Sequence, residues 1–437
     1  MTRIDQPSTL LGGLTPDHFM RHYWQKKPLL IRGALPGFEA PISRSELFAL
    51  AQREDVESRL VVQAGAKNLA RSWTLKRGPF QRRSLPALTQ KAWTLLVQGV
   101  NLFDARAHDI LEKFRFIPRV RLDDLMISYA SDRGGVGPHF DSYDVFLLQA
   151  QGERRWRIAH GVDDQFVRGA ELKILSRFKH DQEWVLQPGD MLYLPPSYAH
   201  EGVAMGECMT YSIGFNAPQG PALAQGVMAW MADDGGDDDR SSPTRQAHSI
   251  KSSRQRNQFY TDQGQGATQN PGEIPLALQN FAYESYQRLA LNEQHFQRAL
   301  GESLTEPKPH VWFEGDLELD EAQCLSRLKR WAESEGPEEI RLDRQTLMLF
   351  DAKFIFINAE SVGVSGAEAK ILRALANDRT LSHKALAPLM KRHSRALQSE
   401  QKHLASSLLD SRLASRLDAL LGLLAQWMQS GWLHLED

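Results

Sequence analysis

The sequence predicts a mixed α+β chain: a β-barrel or β-sandwich core, then helices, then a small α/β module. Three observations carry that architecture. Between 124 and 216, short apolar runs are separated by Gly and Pro turns with no helical period among them. Residues 232–270 then turn acidic and polar, and 275–300 bring apolar side chains back at helical spacing. From 305 to 437, strand-like and helix-like segments alternate. At 437 residues the chain is too long for one ordinary core. The expected division is 1–104, α/β elements supporting the barrel; 105–216, the barrel; 217–304, a linker and helices; and 305–437, the last module.

Taken in order, Pro16 and Asp17 open a short helix carrying Phe19, Met20 and Tyr23. Pro28-Leu29-Leu30-Ile31-Arg32-Gly33 reads as a buried strand ended by a turn. Ser45, Leu47, Phe48, Leu50 and Ala51 suggest an amphipathic helix, and the run from Ala92 to Val100 is apolar enough to be buried. The candidate barrel strands are 125–130, 143–149, 154–158, 183–187, 190–194 and 209–215. The aspartates from Asp233 to Asp239 and the Ser-, Gln- and Arg-rich stretch behind them cannot bury enough apolar surface to order themselves, so disorder is expected over about 232–258. Leu276, Leu278, Phe281, Tyr286, Leu289 and Phe296 suggest one or two helices that pack on something, a second subunit being one candidate.

In the last module, Phe354-Ile355-Phe356-Ile357 reads as a strand. Ser365 and Glu368 form a capping-box pattern ahead of Ile371, Leu372 and Leu375. A long amphipathic helix at 411–428 and a terminal strand from Trp432 to Leu435 complete a module of winged-helix type. Its 17 Lys plus Arg stand against 20 Asp plus Glu. A winged helix that neutralises phosphates should be basic, so direct DNA binding is not expected.

Lys plus Arg number 52 and Asp plus Glu 54, so no global charge draws the chain to nucleic acid or to a membrane. Cys208 and Cys324 cannot build a disulfide framework and read as ordinary thiols of a reducing compartment. The first residues lack a signal-peptide stretch, and no uncharged apolar run approaches membrane-spanning length. A cytoplasmic address is expected.

The chemistry gathers in two places. Gly137-Pro138-His139-Phe140-Asp141 contains His-x-Asp, and in an extended segment residues i and i+2 face the same way. Among 14 histidines such a pair arises readily by chance, so alone it says little. Sixty-one residues after His139 comes His200, which begins a strand and is reached by a turn at Pro188-Gly189-Asp190, a buried strand from Met191 to Leu194 and a stiff corner at Pro195-Pro196. Two imidazoles and a carboxylate at a barrel rim suit non-haem iron(II) and leave positions open. In Arg154-Arg155-Trp156-Arg157-Ile158, an inward Trp156 and Ile158 imply an inward Arg154. An inward guanidinium needs an anion, and the far carboxylate of an iron-chelating diacid is one. Ser128 could add a hydroxyl. Solvated arginines and a filler serine are the alternative on periodicity alone.

At this point the chain resembles a known family. Gly-Pro-His-Phe-Asp at 137–141, Tyr143-Asp144-Val145-Phe146, Gly152-Glu153-Arg154-Arg155-Trp156 and Pro188-Gly189-Asp190…His200-Glu201-Gly202 resemble the bacterial ribosomal oxygenases of the JmjC superfamily. Tyr23-Trp24-Gln25-Lys26-Lys27-Pro28, Ser58-Arg59-Leu60-Val61, Gly78-Pro79-Phe80 and Asp123-Asp124-Leu125-Met126-Ile127-Ser128 extend the likeness upstream, over most of 15–218. The resemblance implies a double-stranded β-helix core of JmjC or cupin-like type, dimerisation helices and a winged-helix-like domain. It implies Fe(II) on His139, Asp141 and His200, 2-oxoglutarate on Ser128 and Arg154, and O2 as second cosubstrate. It also implies a homodimer that hydroxylates an arginine, at C3, of a large-subunit ribosomal protein, the sixteenth in traditional numbering. The chain departs from the family in a polar insertion near 232–258 and extra residues around 391–412.

An arginine substrate would want carboxylate or aromatic neighbours. Asp132 and Tyr143 are the candidates, Tyr143 on the reading that it shares a strand face with Asp141; a turn cap and a core ring are the plain alternatives. Within the same enzyme class the iron centre also suits a histidyl hydroxylase or a lysine demethylase. Outside it, a cupin-like metal-binding or regulatory protein remains, but that has no use for an inward Arg154.

Overall fold

The computed structural model describes residues 4–63, 72–161, 165–233, 280, 284, 293–315, 319–334, 336–386, 389–390 and 407–436. They fall into two units, Met1–Ala217 and Pro218–Asp437. The acidic and polar stretch from 234 on, the apolar positions 276, 278, 281, 286 and 289, and the extra residues 391–406 lie outside the described residues.

The first unit contains α1 (Pro16–His22), β1 (Leu29–Ile31), α2 (Arg44–Leu50), β2 (Ser58–Gln63), β3 (Trp73–Arg77), β4 (Trp93–Val97), α3 (Val100–Phe103), α4 (Ala105–Glu112) and β5 (Leu122–Ala130). It continues with β6 (Val145–Ala159), β7 (Gln182–Leu186), β8 (Met191–Leu194) and β9 (Ala199–Phe215). Local chemistry starts the helices. The Thr15 hydroxyl accepts from the His18 N–H at the head of α1, where Pro16 has no donor to leave unmatched. At α2, Ser43 and Glu46 close a reciprocal capping box.

All strand pairings are antiparallel, in the order β1-β8-β6-β9-β5-β4-β2-β3, with β7 also paired to β6. Two of the expected strands, 143–149 and 154–158, are one strand of 15 residues, and 209–215 is the end of a strand of 17. Residues 143 and 144 are not in a strand, so Tyr143 shares no strand face with Asp141.

Side-chain parity decides what each strand does. Trp93, Leu95 and Val97 of β4, Leu125, Ile127 and Tyr129 of β5, and Met209, Tyr211, Ile213 and Phe215 of β9 pack with Phe19, Phe48, Leu111 and Phe114 of the helical side. The alternate residues, Thr94 and Leu96, Met126 and Ser128, Ser212 and Gly214, line a cavity on the other face. β6 changes parity along its length. Val145 and Leu147 face the cavity at its start, and Arg154 and Trp156 do so after it. The change occurs at register shifts between Gln149, Gln151 and Glu153. There Gly152 takes a positive φ of 63° and passes so close to β9 that a Cβ would sit 2.2 Å from the Glu207 carbonyl oxygen.

The second unit begins with α5 (Gly220–Asp233) and α6 (Glu293–Leu304), followed by α7 (Glu321–Glu333), β10 (Glu339–Leu342), β11 (Met348–Phe350), β12 (Phe354–Ile357), β13 (Glu360–Gly363), α8 (Gly366–Asp378), β14 (Thr380–Ser382), α9 (Ser407–Gln429) and β15 (Leu433–Glu436). Two three-stranded sheets, β14-β10-β15 and β11-β12-β13, share a core with α7, α8 and α9 built on Leu328, Trp331, Ile355, Leu372, Leu424 and Trp427. The expected capping box at Ser365 does not close. Ser365 precedes α8 without a side-chain cap bond, and Glu368 instead lies 3.5 Å from Arg416. No helix among the described residues is long and apolar enough to cross a membrane.

Candidate metal and diacid site

His139 sits just outside the strands, yet it pairs with β9. Its N–H donates to the His200 carbonyl at 3.0 Å and its carbonyl accepts from the His200 N–H at 2.7 Å. Asp141 is held in the same way, its carbonyl accepting from the Ser197 N–H at 2.9 Å. Backbone pairing thus places all three side chains, drawn from the 137–141 turn and the Pro195-Pro196 corner.

The ring orientations are set too. His139 Nδ1 lies 2.9 Å from the Gly137 carbonyl and His200 Nδ1 lies 3.0 Å from the Tyr198 carbonyl. A carbonyl only accepts, so each Nδ1 carries the proton, and Nε2 of a neutral ring keeps its lone pair for a ligand. Burial pushes the His200 imidazole down to about 4, helped by His139 and opposed by Asp141, so the ring is neutral at physiological pH. One ligand atom each from His139, Asp141 and His200 lies within 4.8 Å of the others. Two imidazole nitrogens and one carboxylate oxygen on one side form a donor set that fits a ferrous ion with open positions.

These residues line a cavity of about 440 Å³ that also contains Arg154, Trp156, Ser128 and Tyr143. Arg154 is 5% exposed. Its Nη1 donates to Ser128 Oγ at 3.2 Å and Thr210 Oγ1 at 3.3 Å, and its charge lies 5.5 Å over the Trp156 ring. Among the described residues no carboxylate comes within ion-pair distance of it, and its Nε has no partner. A buried cation with neutral neighbours and an unmatched donor has the chemistry to receive an anion.

Tyr143, 39% exposed, lines the cavity; burial, then the charges of Asp141 and Asp124, hold its phenol above the usual value. Asp132 is not brought there. Its carboxylate pairs with Lys91 at 2.8 Å and accepts from the Gly206 N–H at 3.0 Å. Besides Asp141, the cavity carboxylates are Asp123 and Asp124 of β5, which the sequence reading did not single out as site residues. It also missed Thr210, whose hydroxyl accepts from Arg154 and donates to Gln149 at 3.0 Å. The signal was present in Met209-Thr210-Tyr211-Ser212-Ile213-Gly214-Phe215, where every second residue is small or polar opposite a large apolar face.

Comparison with known proteins agrees with this geometry. Residues 109–223 match the JmjC domain family and residues 287–410 the ROXA-like winged helix family. A ribosomal protein uL16 3-hydroxylase of Escherichia coli (strain K12) is 40% identical over 217 residues, which cover 49% of this chain and 56% of that protein. A probable ribosomal oxygenase of Haemophilus influenzae is 37% identical over 219 residues, 49% of this chain and 52% of that protein. In sequence, therefore, the match spans about half the length of these curated relatives. A solved structure of the E. coli ribosomal oxygenase YcfD in complex with cobalt and 2-oxoglutarate superimposes with a TM-score of 0.70 at 26% identity, covering 97% of this chain and 99% of that one. With a match to the JmjC domain family, a match to the ROXA-like winged helix family and these relatives together, the chain is similar to the JmjC-type ribosomal oxygenases.

Proposed function

We propose that the chain is an iron(II)- and 2-oxoglutarate-dependent hydroxylase that acts on an arginine side chain, at C3, of the large-subunit ribosomal protein uL16. The observation that carries this reading is the cavity itself, with a two-His, one-carboxylate donor set and a buried Arg154 that has no carboxylate partner in one enclosure. One relative, 40% identical over the matched half, is a ribosomal protein uL16 3-hydroxylase, and a solved neighbour holds cobalt with 2-oxoglutarate.

Ferrous iron with 2-oxoglutarate and O2 supplies the oxidising power, converting the diacid to succinate and carbon dioxide and placing one oxygen atom on an unactivated carbon. The protein's share is placement. His139, Asp141 and His200 hold the metal from one side. Arg154, with Ser128 and Thr210 behind it, receives the distal carboxylate in a fixed fork. Val145, Leu147 and Trp156 present apolar walls that keep water from the reacting atoms. Asp123, Asp124 and the Tyr143 ring give the same enclosure an acidic and aromatic lining suited to a guanidinium.

A ribosomal substrate goes with a cytoplasmic address. The homodimer expected from the family draws support from α5, an apolar helix that leaves Met228 49% exposed, and from α6, which leaves Phe296 46% exposed.

The test is incubation of the purified protein with ferrous iron, 2-oxoglutarate and uL16, read by succinate release and by the mass of the uL16 arginine peptides. One added oxygen on a single arginine is the expected result. Succinate without modified uL16 would remove the substrate, and no succinate at all would remove the activity.

A further inference from the structure

Beside Arg154, a second side chain that lines the same enclosure carries a buried donor without a partner. Trp156 is 5% exposed, lines the cavity, and has an indole N–H without a hydrogen-bond partner among the described residues. An unmatched N–H in the interior costs about 1–3 kcal/mol, and native proteins rarely leave one without a use. Trp156 is no loose filler. Its six-membered ring lies over Gly202, its cross-strand partner, where a Cβ would come within 2.7 Å of Cη2 and Cζ3. The lack of a side chain at 202 is what lets the indole lie flat against β9.

Its position is informative. Arg154 and Trp156 are i and i+2 on one face of β6, about 7 Å apart along the strand. On the other side, the indole centroid is 5.9 Å from the His200 ring. A diacid reaching from Arg154 to a metal beside His200 must therefore pass along this indole. Resting on the 2-oxoglutarate reading above, we infer that the Trp156 indole N–H donates a hydrogen bond to a carboxylate oxygen of the metal-held diacid. Arg154 then fixes one end of the diacid and Trp156 its roll about the long axis.

The test uses the full-length protein loaded with zinc, which is redox-silent and diamagnetic, and titrated with 2-oxoglutarate. The Trp156 indole resonance should move on addition of the diacid, and its N–H should exchange more slowly with solvent. Trp156→Phe keeps a ring under Arg154 and removes the donor. It should weaken 2-oxoglutarate binding about tenfold or more, as loss of a hydrogen bond to a charged acceptor does, and leave zinc affinity unchanged. An indole signal that moves with zinc alone and no further with 2-oxoglutarate overturns the assignment, and so does equal diacid affinity in Trp156→Phe. If that variant fails to fold, the indole signal of the parent protein decides between the two outcomes. If the zinc-loaded parent binds no 2-oxoglutarate, the cosubstrate reading falls along with this one.

Discussion

His139 and His200 exchange backbone hydrogen bonds in both directions, and their rings stand 4.3 Å apart at 57°. The two imidazoles are therefore placed by main chain, and the main chain does not depend on the rings. Ligation and folding should be separable at this site.

That separation gives the first prediction. His139→Ala keeps its N–H and C=O and should melt within a few degrees of the parent, while stoichiometric iron binding is lost. Metal analysis alongside a thermal melt checks both halves. Retention of one iron per chain would remove His139 from the ligand set.

Arg154 and Thr210 should differ in degree. Arg154→Met removes a buried charge-assisted contact worth about 1.5–3 kcal/mol, so the 2-oxoglutarate requirement should rise roughly 10- to 150-fold. Thr210→Val removes only a neutral hydroxyl that steadies the guanidinium, and should raise it by about tenfold or less. Titration of succinate formation against 2-oxoglutarate ranks the two; the reverse order would contradict the assignment.

At Gly202 the prediction is steric. Gly202→Ala puts a methyl group into the Trp156 ring, and overpacking of this kind costs about 1–3 kcal/mol. Since β9 carries His200 two residues earlier, iron affinity should fall as well. Denaturant unfolding and metal titration measure the two effects; a variant as stable as the parent would mean the indole has room to move.

A pH dependence follows from α2. The Ser43 hydroxyl, then Arg106, hold the Glu46 carboxyl down from its usual 4.5 to about 2. A depressed folded value means the carboxylate's support is present at neutral pH, fades as pH drops below the usual value, and is gone near the folded one. Glu46→Ala should cost about 1 kcal/mol or less at about pH 7, because the group is exposed to solvent. The difference from the parent should close between about pH 5 and pH 2. Denaturant midpoints across that range test the sign, and a gap that grows in acid would refute it.

How much of this was legible in the chain divides along local and non-local lines. The inward face of Arg154, Trp156 and Ile158 could be read because strand alternation is a property of consecutive residues. The turn before Met191 and the stiff corner before His200 were likewise local. The join of 143–149 to 154–158 was not, because a bulge is defined by the partner strand, and the partner residues Met205 and Met209 are remote in sequence. Asp132 and Asp123 are equally acidic in one dimension. Only the path of β5 shows that one lines the cavity while the other meets Lys91.

The bulge in β6 acts as a phase shifter. Gln149 holds it in place, its amide donating to the Gln151 and Gly152 carbonyls while its own carbonyl takes the Thr210 hydroxyl beside Arg154. Loss or gain of one residue between Gln149 and Glu153 would turn the following strand over, presenting Arg155 and Arg157 inward and sending Arg154 and Trp156 to solvent. Descendants of this chain are thus freer to exchange side chains in that segment than to change its length. An insertion or deletion there would erase the proposed diacid pocket and leave His139, Asp141 and His200 all in the sequence.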